Sequence, residues 1–235
     1  VFVSGWAEYE ENGVEWSNSK MWIVQAGEAV AQMEYESSYL WEGVSARAKN
    51  RAFGITLSDT GRVLLAGETV ISADESEKGL TRGNVIEFDN FSLSEKFRVP
   101  TWGDESARSG FQGVASDSSG IVAAGWYHGE GSYSRGFFIS LNEQLQPEGQ
   151  HSSSTEPEGS NNAAAIHPER HLVVAGVQEP TASAFAPDLW TSRYVSDAAF
   201  SRARAITIDR YGRIFLAGEK SLNGQLRATL ELVRP

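Results

Sequence analysis

One short segment recurs along this chain and restricts its fold more than any other feature. It consists of three or four apolar residues, then a small residue, then glycine. The five copies span 1–5, 63–67, 121–125, 172–176 and 214–218. Their glycines are separated by 62, 58, 51 and 42 residues. Such uneven spacing favours constant strands that are joined by loops of variable length.

A second pattern precedes most copies and predicts a β-hairpin. Segments 54–61, 113–120 and 205–212 each run from apolar residues into a polar turn that ends in glycine, whereas the fourth copy, 164–170, is degenerate. In these turns Asp59, Asp117 and Asp209 are expected to accept hydrogen bonds from the backbone, and the glycine to adopt a positive φ. Each copy therefore predicts two antiparallel strands joined by a tight turn.

Further strand candidates follow each glycine. Candidates for a third strand are 21–24, 84–88, 136–141, 189–194 and 227–232, and candidates for a weaker fourth strand are 31–36, 96–99 and 197–200. The segment 146–162 is rich in polar residues and contains Pro147 and Pro157. We interpret it as a flexible loop between repeats.

Four antiparallel strands in about 45–60 residues are typical of one β-propeller blade, and stacked blades bury apolar faces that a single sheet exposes to water. The sequence therefore predicts an all-β fold, a β-propeller of about five blades in a single domain over residues 1–235. The repeats are expected at roughly 1–45, 46–100, 104–150, 160–200 and 201–235, with incomplete first and last blades. A β-sandwich is the alternative architecture.

The order of a turn with Asp and Gly, an apolar strand, Ala-Gly, a polar loop and an aromatic strand resembles bacterial β-propeller repeat proteins of the delta-60 and SBBP type. The resemblance covers most of the chain, although the fourth copy lacks the Asp and Gly of the turn. It implies an extracytoplasmic protein, periplasmic, cell-surface or secreted, that serves as a scaffold or binding module.

Composition excludes several classes of partner. The formal net charge is −11, from 20 Lys and Arg against 31 Asp and Glu, and an acidic surface repels nucleic acid. No apolar run is long enough to span a membrane. The chain contains no cysteine, which suits bacterial export as well as the cytosol. It begins with Val1 instead of methionine, and we interpret it as a processed or excised piece.

The predicted ligand-binding residues include two aromatic groups that follow repeat glycines. Trp126, Tyr127 and His128 follow Gly125, and Trp6, Tyr9 and Trp16 follow Gly5. Aromatic rings stack on sugar faces and His can bond hydroxyl groups, so the sequence predicts ligand-binding loops here. The alternative is that these rings only cover the edges of the blades.

Arginines recur before the predicted innermost strands and form the third group of candidates. If these segments surround the mouth of a channel, Arg51, Arg108 and Arg204 would form a basic collar for anionic ligands. The alternative is ordinary surface ion pairing with the many carboxylates.

No catalytic motif is present, and the sequence predicts no metal site and no cofactor. His167 and His171 have a helical metal-ligand spacing, but the repeat places them in a hairpin turn. The favoured function is a non-enzymatic exported propeller that binds a protein or a glycan. One alternative is a glycan-active hydrolase with carboxylates at the channel mouth, the candidates being Glu10, Glu42, Asp104 and Glu130. Another is a structural subunit, in which a larger assembly completes the ring.

Overall fold

The chain is built from antiparallel strands. The computed structural model describes residues 2–11, 14–36, 38–41, 44–71, 80–89, 92–98, 108–118, 120–128, 134–152, 160–167, 172–177, 182–185, 192–196, 202–223 and 225–233. Within these ranges every regular element is a β-strand, and none is a helix with the length and hydropathy needed to cross a membrane.

Five groups of strands follow one another along the chain, and we call them blades 1 to 5. Blade 1 contains β1 (Phe2–Glu11), β2 (Val14–Gln25) and β3 (Glu28–Tyr35), and a separate hairpin contains β4 (Ser38–Trp41) and β5 (Val44–Arg47). Blade 2 contains β6 (Lys49–Leu57), β7 (Val63–Ile71), β8 (Leu80–Asp89) and β9 (Ser92–Arg98). Blade 3 contains β10 (Arg108–Asp117), β11 (Gly120–His128), β12 (Ser134–Leu141) and β13 (Pro147–Ser152). Blade 4 contains β14 (Ser160–Ile166), β15 (Leu172–Val177), β16 (Ala182–Phe185) and β17 (Ser192–Ser196). Blade 5 contains β18 (Arg202–Ile208), β19 (Ile214–Leu222) and β20 (Gln225–Val233).

The strand counts confirm the all-β prediction and the incomplete first and last blades. Blades 1 and 5 have three described strands each, and the three blades between them have four. Blades 1 and 2 are joined into one sheet because Ser17 of β2 pairs in parallel with Lys49 of β6. Successive strands pair in antiparallel orientation, which produces a meander within each blade.

The hairpin turns have the predicted glycine geometry, but their side-chain acceptors differ from one repeat to the next. Gly61 and Gly212 have positive φ values of 83° and 77°, which only glycine adopts without strain. Asp209 accepts the backbone N–H groups of residues 211 and 213, as predicted. In the blade 2 hairpin, however, Ser58 accepts the N–H of residue 62. The prediction for Asp59 is therefore one residue out of place.

The closing glycine of the repeat is required by a close approach of two backbones. The innermost strand carries a β-bulge beside it, between Ala52 and Gly54 in blade 2 and between Phe111 and Gly113 in blade 3. A methyl group added at Gly67 would lie 1.9 Å from the carbonyl oxygen of Arg51, and blade 3 repeats this distance at Gly125. No side chain fits at such a position.

The hydrophobic core lies between consecutive blades, as expected for stacked sheets. Side chains at alternate positions of one strand point to opposite faces, so each blade contributes to two layers. Leu65 of β7 packs with Met21 and Tyr35 of blade 1. Its neighbour Leu64 packs with Phe111 and other residues of blade 3. One apolar run therefore serves two interfaces.

Two of the segment predictions are wrong. The segment 146–162 is predicted to be a loop, but β13 and the start of β14 lie within it. In blade 4 the third strand is β16, so the predicted third-strand segment 189–194 instead overlaps the fourth strand, β17. The two missed strands, β13 and β16, contain few large apolar residues, so their sequences lack a strand pattern.

Candidate functional site

A cleft lies between blades 1 and 2, and it gathers several of the predicted ligand residues. Its volume is about 270 Å³. The lining residues are Glu8, Tyr9, Glu10, Glu15, Trp16, Ser17, Lys49 and Arg51. Carboxylates come from β1 and β2, whereas both cations come from β6. We call this the blade 1–2 cleft.

Strand register determines which side chains share a face at this cleft. Glu8 pairs with Ser17 and Glu10 pairs with Glu15, and directly paired residues lie on the same face of a sheet. The pair Tyr9 and Trp16 lies between these two pairs, so it occupies the opposite face. The charged side chains therefore share one face of the sheet at the cleft, and Tyr9 and Trp16 line the cleft from the neighbouring positions of β1 and β2.

The two cations of the cleft each contact a carboxylate. The Lys49 Nζ atom lies 3.1 Å from Glu15 Oε2, and Arg51 Nη1 lies 3.5 Å from Glu68 Oε1. The Arg51 guanidinium also lies 6.0 Å from the ring centre of Trp6. Trp6 is 41% exposed, so an accessible ring stands beside the cleft.

Glu68 is a buried carboxyl group that the sequence analysis did not identify. It is only 8% exposed, and burial raises its pKa while the charge of Arg51 opposes this effect. The Glu68 carboxyl group packs against the backbone at Gly110 beside Trp126. A methyl group added at Gly110 would lie 2.9 Å from Glu68 Oε2 and 2.7 Å from Trp126 Nε1. The sequence held one signal for it: glutamate directly follows the repeat glycine in two copies, at Glu68 and Glu219.

Tyr9 and Trp16 are already engaged within blade 1. Their rings stack with centroids 5.6 Å apart and an interplanar angle of 17°. The Lys20 ammonium lies 5.6 Å from the Tyr9 ring centre, and the Tyr9 hydroxyl donates to Glu34. Burial alone would raise the pKa of Glu34, but hydrogen bonds from Tyr9 and Asn18 outweigh burial and lower it. This aromatic pair stabilises the outer face of blade 1.

The second aromatic group lies on a strand, and the loop prediction for it is wrong. Trp126, Tyr127 and His128 are the last residues of β11 and continue its ladder with β10 and β12. The Tyr127 ring contacts Phe137 edge to face at 6.1 Å. The first group is likewise on strands, because β1 extends to Glu11.

The three predicted arginines do not occupy equivalent positions. In blade 2, Arg51 immediately precedes Ala52, which pairs with the repeat glycine. In blade 5, Arg204 instead lies in the β-bulge between its two chain neighbours. Arg108 pairs with His128 at the far end of β10. Arg204 contacts Glu219 at 3.0 Å. The described ion pairs of Arg51 and Arg204 are with carboxylates on the adjacent strand, and the register does not produce a regular collar.

A second cavity, of about 460 Å³, lies where four innermost strands meet. It is lined mainly by small and apolar residues such as Val114, Ala165 and Ile206, together with Asp117 and His167. His167 is buried, and its Nε2 lies 3.0 Å from the carbonyl oxygen of Gly212. His167 therefore connects blade 4 to the turn of blade 5. Within the described ranges no three His, Asp or Glu residues converge on a metal position.

Of the four carboxylates predicted for a hydrolase, Glu10 lines the blade 1–2 cleft. The other three, Glu42, Asp104 and Glu130, lie outside the described residues. His171 also lies outside them. The candidates that the structure brings together at or beside the cleft are Trp6, Tyr9, Trp16, Arg51 and Glu10.

Comparison with known proteins supports the fold and leaves the activity open. Neither a model of a protein family nor a curated protein sequence matches the chain. Among solved structures, a candidate oxidoreductase (glucose dehydrogenase) from Thermus thermophilus is similar at 13% identity, with a TM-score of 0.54, 99% of this chain covered and 78% of that one. A protein of unknown function from Bacteroides caccae is similar at 9% identity, with a TM-score of 0.51 and coverages of 97% and 73%. A luciferin-regenerating enzyme is similar at 10% identity, with a TM-score of 0.51 and coverages of 91% and 69%. With the blade order described above, these similarities identify the chain as an all-β protein of β-propeller architecture.

Proposed function

We propose that the protein is an exported, non-enzymatic binding module and that the blade 1–2 cleft receives a glycan. The observation that carries this proposal is the arrangement of Glu8, Glu10 and Glu15 opposite Lys49 and Arg51 around one cavity. Sugar hydroxyl groups both donate and accept hydrogen bonds, so carboxylates and cations on opposite walls suit them.

The exposed ring of Trp6 supports the same ligand class. Its Nε1 atom donates to Glu8 Oε1 at 3.4 Å, and the Arg51 guanidinium lies near its face. An aromatic ring beside hydrogen-bonding groups is a common arrangement for the apolar face of a sugar. Export is consistent with the absence of cysteine in all 235 residues.

Glycan binding can be tested with an array followed by calorimetry on the best ligand. Glu10→Gln keeps the size of the side chain and removes its charge, so we expect about tenfold weaker binding from the loss of a charge-assisted hydrogen bond. Glu28→Gln is the matched control, because Glu28 is an exposed glutamate at the start of β3. Equal affinities of wild type and Glu10→Gln would contradict the assignment of the cleft, and an array without binding would contradict the ligand class.

A second candidate function is favoured by one observation, the raised pKa of Glu68. A carboxyl group with a raised pKa keeps its proton to a higher pH than an ordinary glutamate does, and it can act as a general acid in glycoside hydrolysis. Arg51 lines the cavity and contacts Glu68, so we expect a substrate that displaces Arg51 to reach the acid. In this case Glu10 is the candidate second carboxylate.

The two functions are separated by an activity assay with chromogenic aryl glycosides. A hydrolase requires turnover that Glu68→Gln abolishes and that falls as pH rises through the pKa of the acid. A binding module requires no turnover above buffer, together with glycan affinity that Glu68→Gln leaves within about twofold.

A further inference from the structure

Both cations of the blade 1–2 cleft already have a carboxylate partner. Lys49 Nζ lies 3.1 Å from Glu15 Oε2 on β2, and Arg51 Nη1 lies 3.5 Å from Glu68 Oε1 on β7. Opposite charges at these distances neutralise one another locally. Neither cation is therefore left to balance a further carboxylate of the cleft.

Glu8 and Glu10 are carboxylates of the cleft that have no ion pair within the described ranges. Glu8 accepts the indole N–H of Trp6 at 3.4 Å, and both glutamates are exposed. Because alternate residues of a strand share a face, the two side chains stand side by side, about 7 Å apart along β1. The cleft therefore carries an excess of negative charge, which favours a ligand with a positive group.

Two other features of the cleft indicate a sugar and not a simple amine. Trp6 shares the face of β1 with Glu8, and its ring is 41% exposed. A flat apolar ring of this kind packs against the apolar face of a pyranose. In addition, Arg51 Nε is buried and has no hydrogen-bond acceptor in the described part of the chain. A buried donor without an acceptor is costly, and a ligand hydroxyl group would supply one.

We propose that the cleft selects an amino sugar, a glycan unit that carries a free ammonium group. This inference rests on the proposed glycan-binding function and specifies the chemical class of its ligand. The ammonium lies between the Glu8 and Glu10 carboxylates and donates to both. The pyranose ring packs on Trp6, and an adjacent hydroxyl oxygen accepts from Arg51. N-acetylation removes the positive charge, so an acetylated unit loses both ion pairs.

The probes are β-1,4-linked trimers of glucosamine, N-acetylglucosamine and glucose, which differ only in the group at carbon 2. In a weakly acidic buffer this group is an ammonium, an acetamide or a hydroxyl, respectively. Binding to the whole chain is measured by calorimetry. We expect the glucosamine trimer to bind at least about tenfold more tightly than either neutral trimer, because only its ammonium groups form ion pairs with the carboxylates.

The outcomes separate this inference from the proposed function. Equal affinity for the three trimers, or a preference for a neutral one, would overturn the amino-sugar assignment and leave glycan binding intact. Binding of none of them would also overturn it, whereas glycan binding as such is decided by the array. Spermidine, which has amines but no ring or hydroxyl group, controls for attraction of any cation to a chain with a net charge of −11. Displacement of the glucosamine trimer by an equal concentration of spermidine would contradict selection of a sugar.

A double variant then locates the ammonium group. Glu8→Gln with Glu10→Gln keeps the size of two exposed side chains and removes their charge. The preference for the glucosamine trimer over the N-acetylglucosamine trimer should fall from about tenfold to within about twofold. Glu28→Gln, at the exposed start of β3, should keep the full preference. A folded double variant that retains the wild-type preference would place the ammonium elsewhere and overturn the proposal.

Discussion

Replacement of Phe111 by alanine tests whether the interface between blades 2 and 3 carries the stability of the fold. Phe111 is fully buried in a cluster that contains Leu64 and Val85 of blade 2. Its ring stacks on Phe137 with centroids 5.5 Å apart. A methyl group added at Gly83 would lie 2.9 Å from Phe111 Cδ2, so the ring rests directly on the backbone of β8.

This geometry sets the size of the expected effect. Phe→Ala substitutions in protein cores cost about 3–5 kcal/mol, and the loss is larger where the surroundings cannot collapse into the cavity. Here one wall is the backbone at Gly83 and cannot move inward without breaking the ladder. We therefore expect a loss of about 4 kcal/mol for Phe111→Ala, which lowers the folding equilibrium constant about a thousandfold.

The assay is urea unfolding followed by tryptophan fluorescence and circular dichroism. With a slope of about 2–3 kcal/mol per molar urea, the midpoint should fall by about 1.3–2 M. Leu57→Ala is the control, because Leu57 is 52% exposed and should change stability by less than about 0.5 kcal/mol. A loss below about 1 kcal/mol for Phe111→Ala would refute the stacked-blade interface, because a side chain outside a shared core costs no more than that.

Three further predictions follow from the described contacts. Ser58→Ala should destabilise the blade 2 hairpin by about 0.5–1.5 kcal/mol, whereas Asp59→Ala should not, as measured by thermal unfolding. Burial raises the pKa of Glu68 above 4.5 in the folded chain. As pH rises, Glu68 therefore loses its proton in the unfolded chain at a lower pH than in the folded chain. Its contribution to stability therefore falls as pH rises from about 4.5 through the raised pKa, and a pH series of unfolding should show a smaller fall for Glu68→Gln. Leu230 and Leu232 of β20 are 72% and 42% exposed, so replacing both by lysine should lower concentration-dependent light scattering without lowering the melting temperature.

Local sequence was sufficient to predict the hairpins. A turn with glycine at positive φ and an apolar run that ends in Ala-Gly specify two paired strands through contacts between near neighbours. The five copies therefore predicted the blade order and the three-strand first and last blades before any packing was known. The outer strands were harder, since β13 and β17 lack a distinctive apolar pattern and are held by the neighbour that they pair with.

The candidate site depended on tertiary structure much more strongly. The sequence pointed to Trp6, Tyr9, Trp16 and Arg51, but register decided that Tyr9 and Trp16 lie on the face of the sheet opposite to the charged pairs. Glu68 became a candidate only through burial and the contact with Arg51, because neither is encoded within its own strand.

The sequence by itself determined the paired inner strands of the repeat and the turns between them, since apolar runs and turn chemistry act over a few residues. Only the tertiary structure decided which face of each strand meets which blade and which charged groups lose contact with water. The physical reason is that burial and charge pairing arise between segments that are far apart in sequence. A pattern within a few neighbouring residues does not specify which distant segment packs against them.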